Sequence, residues 1–239
     1  MTFPFTGFVY LLVAFGLGFF AYRLFQHWRL EKESQVAQLF FYIIAIFTLV
    51  CFIAGVGGIL FTLNQSQIIA KIIAFSTLVF VILGCGLMGL LIFLIKFPKM
   101  NPWFGFILIF LLGIATFILT TFTPFQFTLK AMGGIDWGFH PLVYLFRFSL
   151  YLFTAFPLSI IFLQQFKTSK DPYIRSKVLG LSLVFLVISI VVFIDFILEP
   201  TFKMEAVLSE ITLAILSIFL FGFLFATRQL HPPLYRKRV

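Results

Sequence analysis

His140, Tyr144, Arg147, Tyr151 and Thr154 recur at steps of four, three, four and three. That spacing lines them along one face of a helix. Arg147 lies about six residues into an apolar run, roughly 9 Å deep at 1.5 Å per residue. Asp195 and Glu210 sit about four residues from the ends of two later runs, roughly 6 Å deep. Glu199 and Glu205 border the turn between those runs. An ionised side chain in lipid costs several kcal/mol unless it pairs or reaches water. Two readings follow. Arg147 and a carboxylate form a structural clamp with satisfied tyrosines, or the polar face lines an outward-opening vestibule that binds a small ligand. An ion or proton path is a third possibility.

Other chemistries find less support. A Schiff-base photoreceptor needs a lysine inside its last helix, and Lys203 precedes that helix. His27 and His231 fall at one end of the predicted bundle and His140 at the other, which separates them too far for one metal or a bis-histidine haem. No Ser/His pair shares a depth. No cofactor or metal is expected, and the residues lean away from an enzyme without closing that option. Gly84-Cys-Gly-Leu-Met-Gly89 matches the dinucleotide fingerprint, but that motif needs a preceding strand and a wet phosphate at a helix start. Mid-run, these glycines read as a site of close helix approach, as do Gly55, Gly57, Gly58, Ala14 and Gly18. Cys51 and Cys85 read as small packing residues.

The elements that must position these side chains are long apolar runs. The chain is 62% hydrophobic and only 10% charged, where a soluble domain is nearer a quarter charged. A spanning helix needs roughly 20 apolar residues. Seven runs qualify: 5–26, 38–61, 72–95, 103–122, 141–163, 178–199 and 206–226. The expected fold is an all-α, polytopic, seven-helix membrane domain over 1–227, followed by a short basic tail, 228–239.

Net charge is +9. In a soluble protein that would suggest nucleic acid, but here its placement reads as topology. Arg23, Arg29, Lys32, Lys96, Lys99, Lys167, Lys170, Arg175, Lys177, Arg228, Arg236, Lys237 and Arg238 all fall on alternate connections or the tail. Only Lys71, Lys130, Arg147 and Lys203 fall on the other side. The amino terminus is therefore expected outside and the carboxyl terminus in the cytoplasm, in the cell (plasma) membrane. Trp28, Trp103 and Trp137 sit at predicted helix ends, where indole prefers the headgroup layer. The first run lacks a basic leader and reads as a helix rather than a cleaved signal.

Between the fourth and fifth runs lies the longest outer loop. Gly133, Gly134 and Gly138 allow tight turns there, and Ile135, Trp137 and Phe139 suggest a compact flap. An ordinary connector with aromatic anchors is the other reading. Asp171-Pro172 starts a turn, with the sixth helix beginning just after it. Pro157 is expected to kink the fifth.

The segments Gly133-Gly-Ile-Asp-Trp-Gly138, the aromatic-spaced helix from Leu142 to Phe166, Lys170-Asp-Pro-Tyr-Ile-Arg-Ser-Lys177, Leu179-Gly-Leu-Ser182 and the closing Thr227-Arg228 carry a resemblance. Over roughly residues 8–228 the chain resembles the amino-terminal seven-helix sensor region of bacterial histidine kinases and related signalling proteins. The resemblance implies sensing of an external or membrane-dissolved signal and its passage to a cytoplasmic output. After Arg228 there is no kinase, cyclase or phosphatase, so a separate signalling or membrane partner is expected. The expected function is a stand-alone sensor or receptor-like module whose outer vestibule holds His140, Tyr144, Arg147, Tyr151, Asp195 and Glu210. A small transporter or channel, supported by Thr116, Thr120, Thr121 and Thr123, is the alternative, as is a structural subunit of a membrane complex. The bilayer is the first partner, nucleic acid is not expected, and oligomeric state is open.

Overall fold

A computed structural model of the chain describes residues 3–30, 35–130, 133–198 and 210–218. The architecture is an all-α bundle with one small hairpin. Its helices are α1 (Phe5–Leu30), α2 (Gln35–Asn64), α3 (Gln67–Lys96), α4 (Trp103–Phe122), α5 (Pro141–Leu152), α6 (Ala155–Thr168) and α7 (Pro172–Phe193). Strands β1 (Thr128–Leu129) and β2 (Ile135–Asp136) lie between α4 and α5. A π-helical turn, Ile194–Leu198, closes α7, and residues 210–218 are helical.

Six helical segments are long and apolar enough to cross a membrane, with α5 and α6 counted together as Pro141–Thr168. They coincide with the first six predicted spans. Only 210–218 of the seventh, 206–226, are described, and the tail after residue 227 lies outside the described residues. Helix α3 starts five residues earlier than its apolar run because the turn before it is so tight. Gln65 takes a left-handed φ of 49°, and Ser66 alone separates it from helix.

Large apolar side chains cover the outside. Phe15, Ile68, Leu108 and Phe122 are among the most exposed residues. A surface like this on a soluble protein would drive association, and it fits a membrane protein. Helix α3 is central, with 56% of its apolar window buried, more than any other span. Cys85, Met88 and Leu91 pack there against Ile43, Ile44 and Phe47 of α2 and Leu150, Leu158 and Phe185. Both cysteines are free thiols.

The fingerprint glycines serve helix packing. A Cβ at Gly89 would come 2.5 Å from the Gly105 carbonyl oxygen and 2.8 Å from Ile109 Cγ1 on α4. At Gly84 it would meet Phe47, and at Gly55 it would meet Leu11. Neighbouring backbones approach this closely only where both sides are small.

Pro157 interrupts the fifth span. It has no N–H to give the Phe153 carbonyl, and its ring clashes with that oxygen. Helix α5 therefore ends at Leu152, and Thr154 N–H bonds back to Tyr151 O at 3.2 Å instead of to Leu150. The Leu150 carbonyl freed in this way accepts the Thr154 hydroxyl at 2.6 Å. Helix α6 resumes with Leu158 N–H on Thr154 O. At α7, Pro172 takes the first helical position, where its missing N–H costs nothing, and Arg175 N–H bonds to Asp171 O.

Lys96, Lys99, Lys167, Lys170 and Arg175 are exposed at the end of the bundle away from the hairpin. Lys96 Nζ bonds Gln164 Oε1 there at 2.6 Å, and Arg175 lies over the Phe166 ring at 4.8 Å.

Gly89→Val should force α3 from α4 and destabilise the chain by about 3 kcal/mol, the upper range for overpacking. Gly18→Ala, whose new methyl meets only Thr48 Cγ2 at 3.4 Å, should leave stability nearly unchanged. Equilibrium unfolding of both variants in mixed micelles checks the contrast.

Candidate functional site

The loop after α4 folds into a flap. Strands β1 and β2 pair antiparallel, Thr128 with Asp136 and Leu129 with Ile135. Gly133 (φ 80°) and Gly138 (φ 53°) make its turns, a conformation that costs other residues energy. Space is also short: a Cβ at Gly133 would strike the Phe3 carbonyl, and one at Gly138 the Gln126 carbonyl. Lys130 and Asp136 form an exposed ion pair at 3.2 Å, worth little by itself.

Three attachments seat the flap. Phe125, Phe127, Ile135 and Phe139 bury their side chains against Phe61, Ala70 and Ala74 of α2 and α3 and Val143 and Tyr144 of α5. Gln67 on α3 extends its amide to the flap backbone, donating to Phe127 O at 2.9 Å and accepting from Phe127 N–H at 3.2 Å. The third attachment is Thr6 on α1, whose Oγ1 accepts from Ile135 N–H at 3.0 Å.

Thr6 then passes the connection on. Its hydroxyl donates to Glu210 Oε1 at 2.6 Å. Thr6 and Glu210 are both buried, at 0% and 3% exposure. One hydroxyl therefore joins α1, the flap and the 210–218 helix. A buried carboxylate needs such donors.

Arg147 projects from α5 into this end of the bundle. Its guanidinium carbon lies 3.9 Å from the centroid of the Phe139 ring, within cation–π range. The side chain is half-buried, and its Nε and Nη2 are shut off from solvent with no hydrogen-bond partner among the described residues. Tyr144, Tyr151, Asp195 and Tyr10 all lie within electrostatic range of it. Phe196 of the π-helical turn touches the rings of Tyr144 and Tyr151 at 5.8 and 6.3 Å. That turn carries Asp195. π-Turns recur at functional sites because they re-aim the side chains they carry.

The structure thus gathers Tyr144, Arg147, Tyr151 and Asp195, with Glu210 beside them through Tyr10. His140 plays a different part. Its Nδ1 accepts the Leu142 N–H at 3.2 Å as the helix cap, and its side chain is exposed. Thr154 is spent on the break in the span. Sequence reasoning missed Thr6 and Tyr10. The signal was present as two polar residues four apart near the start of α1, at the depth of Glu210. It also missed Gln67, whose partner is 60 residues away.

The threonines of α4 are satisfied within their own helix. Thr116, Thr120, Thr121 and Thr123 each donate to the carbonyl four residues earlier. Comparisons of the chain with protein-family models, curated proteins and solved structures find no match.

Thr6→Val should leave the buried Ile135 N–H without an acceptor and Glu210 without this donor, costing about 1–3 kcal/mol. Hydrogen–deuterium exchange of the flap peptide should accelerate in Thr6→Val and stay near wild type in Thr6→Ser.

Proposed function

We propose that the chain is a stand-alone membrane sensor or receptor-like module with seven spanning helices. In this reading the hairpin end faces outside, the basic end faces the cytoplasm, and a ligand binds beside Arg147. The signal then passes through α5, α6 and α7 to a separate partner at the basic end.

One observation carries the reading. The guanidinium edge formed by Nε and Nη2 has no hydrogen-bond partner among the described residues. A clamp would spend those donors on a carboxylate. Leaving them idle in a buried site costs stability, and proteins keep such costs mainly where function uses the group. Tyr144 and Tyr151 supply ring faces and hydroxyls around it, and Arg suits oxyanion recognition because its fork matches two oxygens at once. The threonines on which a transporter reading would draw each give their proton to their own helix.

Arg147→Gln distinguishes a binding site from a clamp. Breaking a buried ion pair costs about 3–5 kcal/mol, whereas removing a cation held only by the Phe139 ring should cost no more than the roughly 2 kcal/mol of that contact. Unfolding measurements on the two proteins decide between them. Accessibility gives a second test. In a Cys51→Ala/Cys85→Ala background, Tyr144→Cys in intact cells should react with a membrane-impermeant thiol reagent added outside. A sealed or inward-facing chamber would leave it unmodified.

A further inference from the structure

We propose that the ligand at Arg147 is a single-chain amphiphile with an oxyanion head, of the free fatty acid class, which enters from the bilayer through a groove at the α5–α6 break. The inference rests on the binding-site reading above and names its ligand.

The head is defined by which nitrogens are idle. Nε and Nη2 of Arg147 form one edge of the guanidinium, and their two N–H groups point the same way. That edge matches the two oxygens of a carboxylate in a bidentate pair. The ring of Phe139 closes one face of the guanidinium and the edge itself is shut off from solvent, so an oxyanion reaches the edge only from within the bundle.

The chain is defined by the groove. A cavity of about 260 Å³ lies between α5, the start of α6 and α7, with Phe148, Tyr151, Leu152, Phe156, Leu186 and Phe193 in its walls. Its one hydroxyl besides that of Tyr151, Ser189, is spent on the Phe185 carbonyl at 2.8 Å. The walls therefore offer contact to an apolar chain and little to a polar one. An apolar cavity of about 150 Å³ already accepts benzene, so this one has room for part of an acyl chain. Leu152, Phe156, Leu186 and Phe193 are each more than a third exposed, so the groove opens sideways on the outer face of the bundle. The break before Pro157 falls at that opening, between the lining residues Leu152 and Phe156.

Tyr151 joins head and chain. It lines the groove and stands one helical turn from Arg147 on the same face of α5. Depth agrees. Arg147 is roughly 9 Å from the start of α5, while Tyr151 to Phe156 lie roughly 15–22 Å from it at 1.5 Å per residue. A bound amphiphile would hold its head toward the hairpin end and its tail toward mid-membrane, as a lipid in that leaflet does. Asp195 competes for the same cation, so it limits affinity.

The test uses the purified full chain in maltoside micelles, with bound ligand counted by native mass spectrometry. Oleate, oleyl alcohol and acetate are compared. Oleate should bind one per chain, and oleyl alcohol and acetate at least tenfold more weakly. Arg147→Gln and the groove-filling Ser189→Phe should each cost at least tenfold in oleate affinity, while Asp195→Asn should raise it. If Arg147→Gln does not fold, Arg147→Lys serves, because it keeps the charge and loses the two-donor edge. Equal binding of oleate and oleyl alcohol overturns the proposal, as does oleate binding untouched by both Arg147→Gln and Ser189→Phe. If acetate instead shields Tyr144→Cys from the thiol reagent as well as oleate does, and only with Arg147 present, the lipid class falls and the binding site stands. If no anion binds and Arg147→Gln unfolds the chain, both fall.

Discussion

Holding a guanidinium in apolar surroundings against the face of Phe139 is the constraint on which this end of the molecule depends. A cation there costs several kcal/mol. A desolvated cation–π contact returns about 2 kcal/mol or more, but only while the ring stays in place. Phe139 lies in the flap, and the flap stays seated through the buried rings of Phe125 and Phe127, the Gln67 amide and the Thr6 hydroxyl. Gly133 and Gly138 let the flap turn tightly enough to reach them. Each part is modest alone. Together they form a chain of support from α1, α3 and the 210–218 helix to a single side chain on α5.

The break at Phe153–Thr154 has two consequences from one cause. Pro157 removes a helical hydrogen bond, and Thr154 repairs the loss by giving its hydroxyl to Leu150 O. In lipid an unsatisfied carbonyl costs several kcal/mol, so the proline and the threonine belong together. The same break falls between Leu152 and Phe156, two residues that line the groove against α7.

Six long apolar helices were legible because 20-residue apolar runs have few alternatives in a chain this greasy. The break was legible at Pro157, and the start of α7 at Asp171-Pro172, because both are local rules. The polar face of α5 was legible through its period, but its ends were not. His140 and Thr154 fall on the right spacing, yet helix ends consume polar side chains, and both are spent there. The ring against Arg147 was the largest miss. Charge alone suggested carboxylates, and Asp195 does lie in range, but nothing in the sequence pointed to the Phe139 ring. Ring contacts depend on how a loop closes, and no period encodes that. Thr6 to Glu210 spans 204 residues, which local patterning cannot reach.

The two ends of the bundle are held by different chemistry, and this bears on how a signal would travel. At the hairpin end, α1, α3, α5 and the 210–218 helix are cross-linked by polar bonds and edge-on or tilted ring contacts. Further along, α6 and α7 are joined by a reciprocal serine pair. Ser159 Oγ donates to Ser182 O at 3.1 Å, and Ser182 Oγ donates to Ser159 O at 2.9 Å. Phe162 and Phe185 stack beside it, with Phe40 tilted against both. Buried reciprocal bonds resist sliding, because a small shift breaks both at once and leaves polar groups without partners in an apolar medium. Helices α6 and α7 are thus built to move as one body. The break above α6 interrupts the helical hydrogen bonding between that body and α5. A ligand seated between Arg147 and the groove would touch both sides of that joint. Its free energy would then bias the tilt of the α6–α7 pair, whose far end carries Lys167, Lys170 and Arg175 at the surface of the basic end.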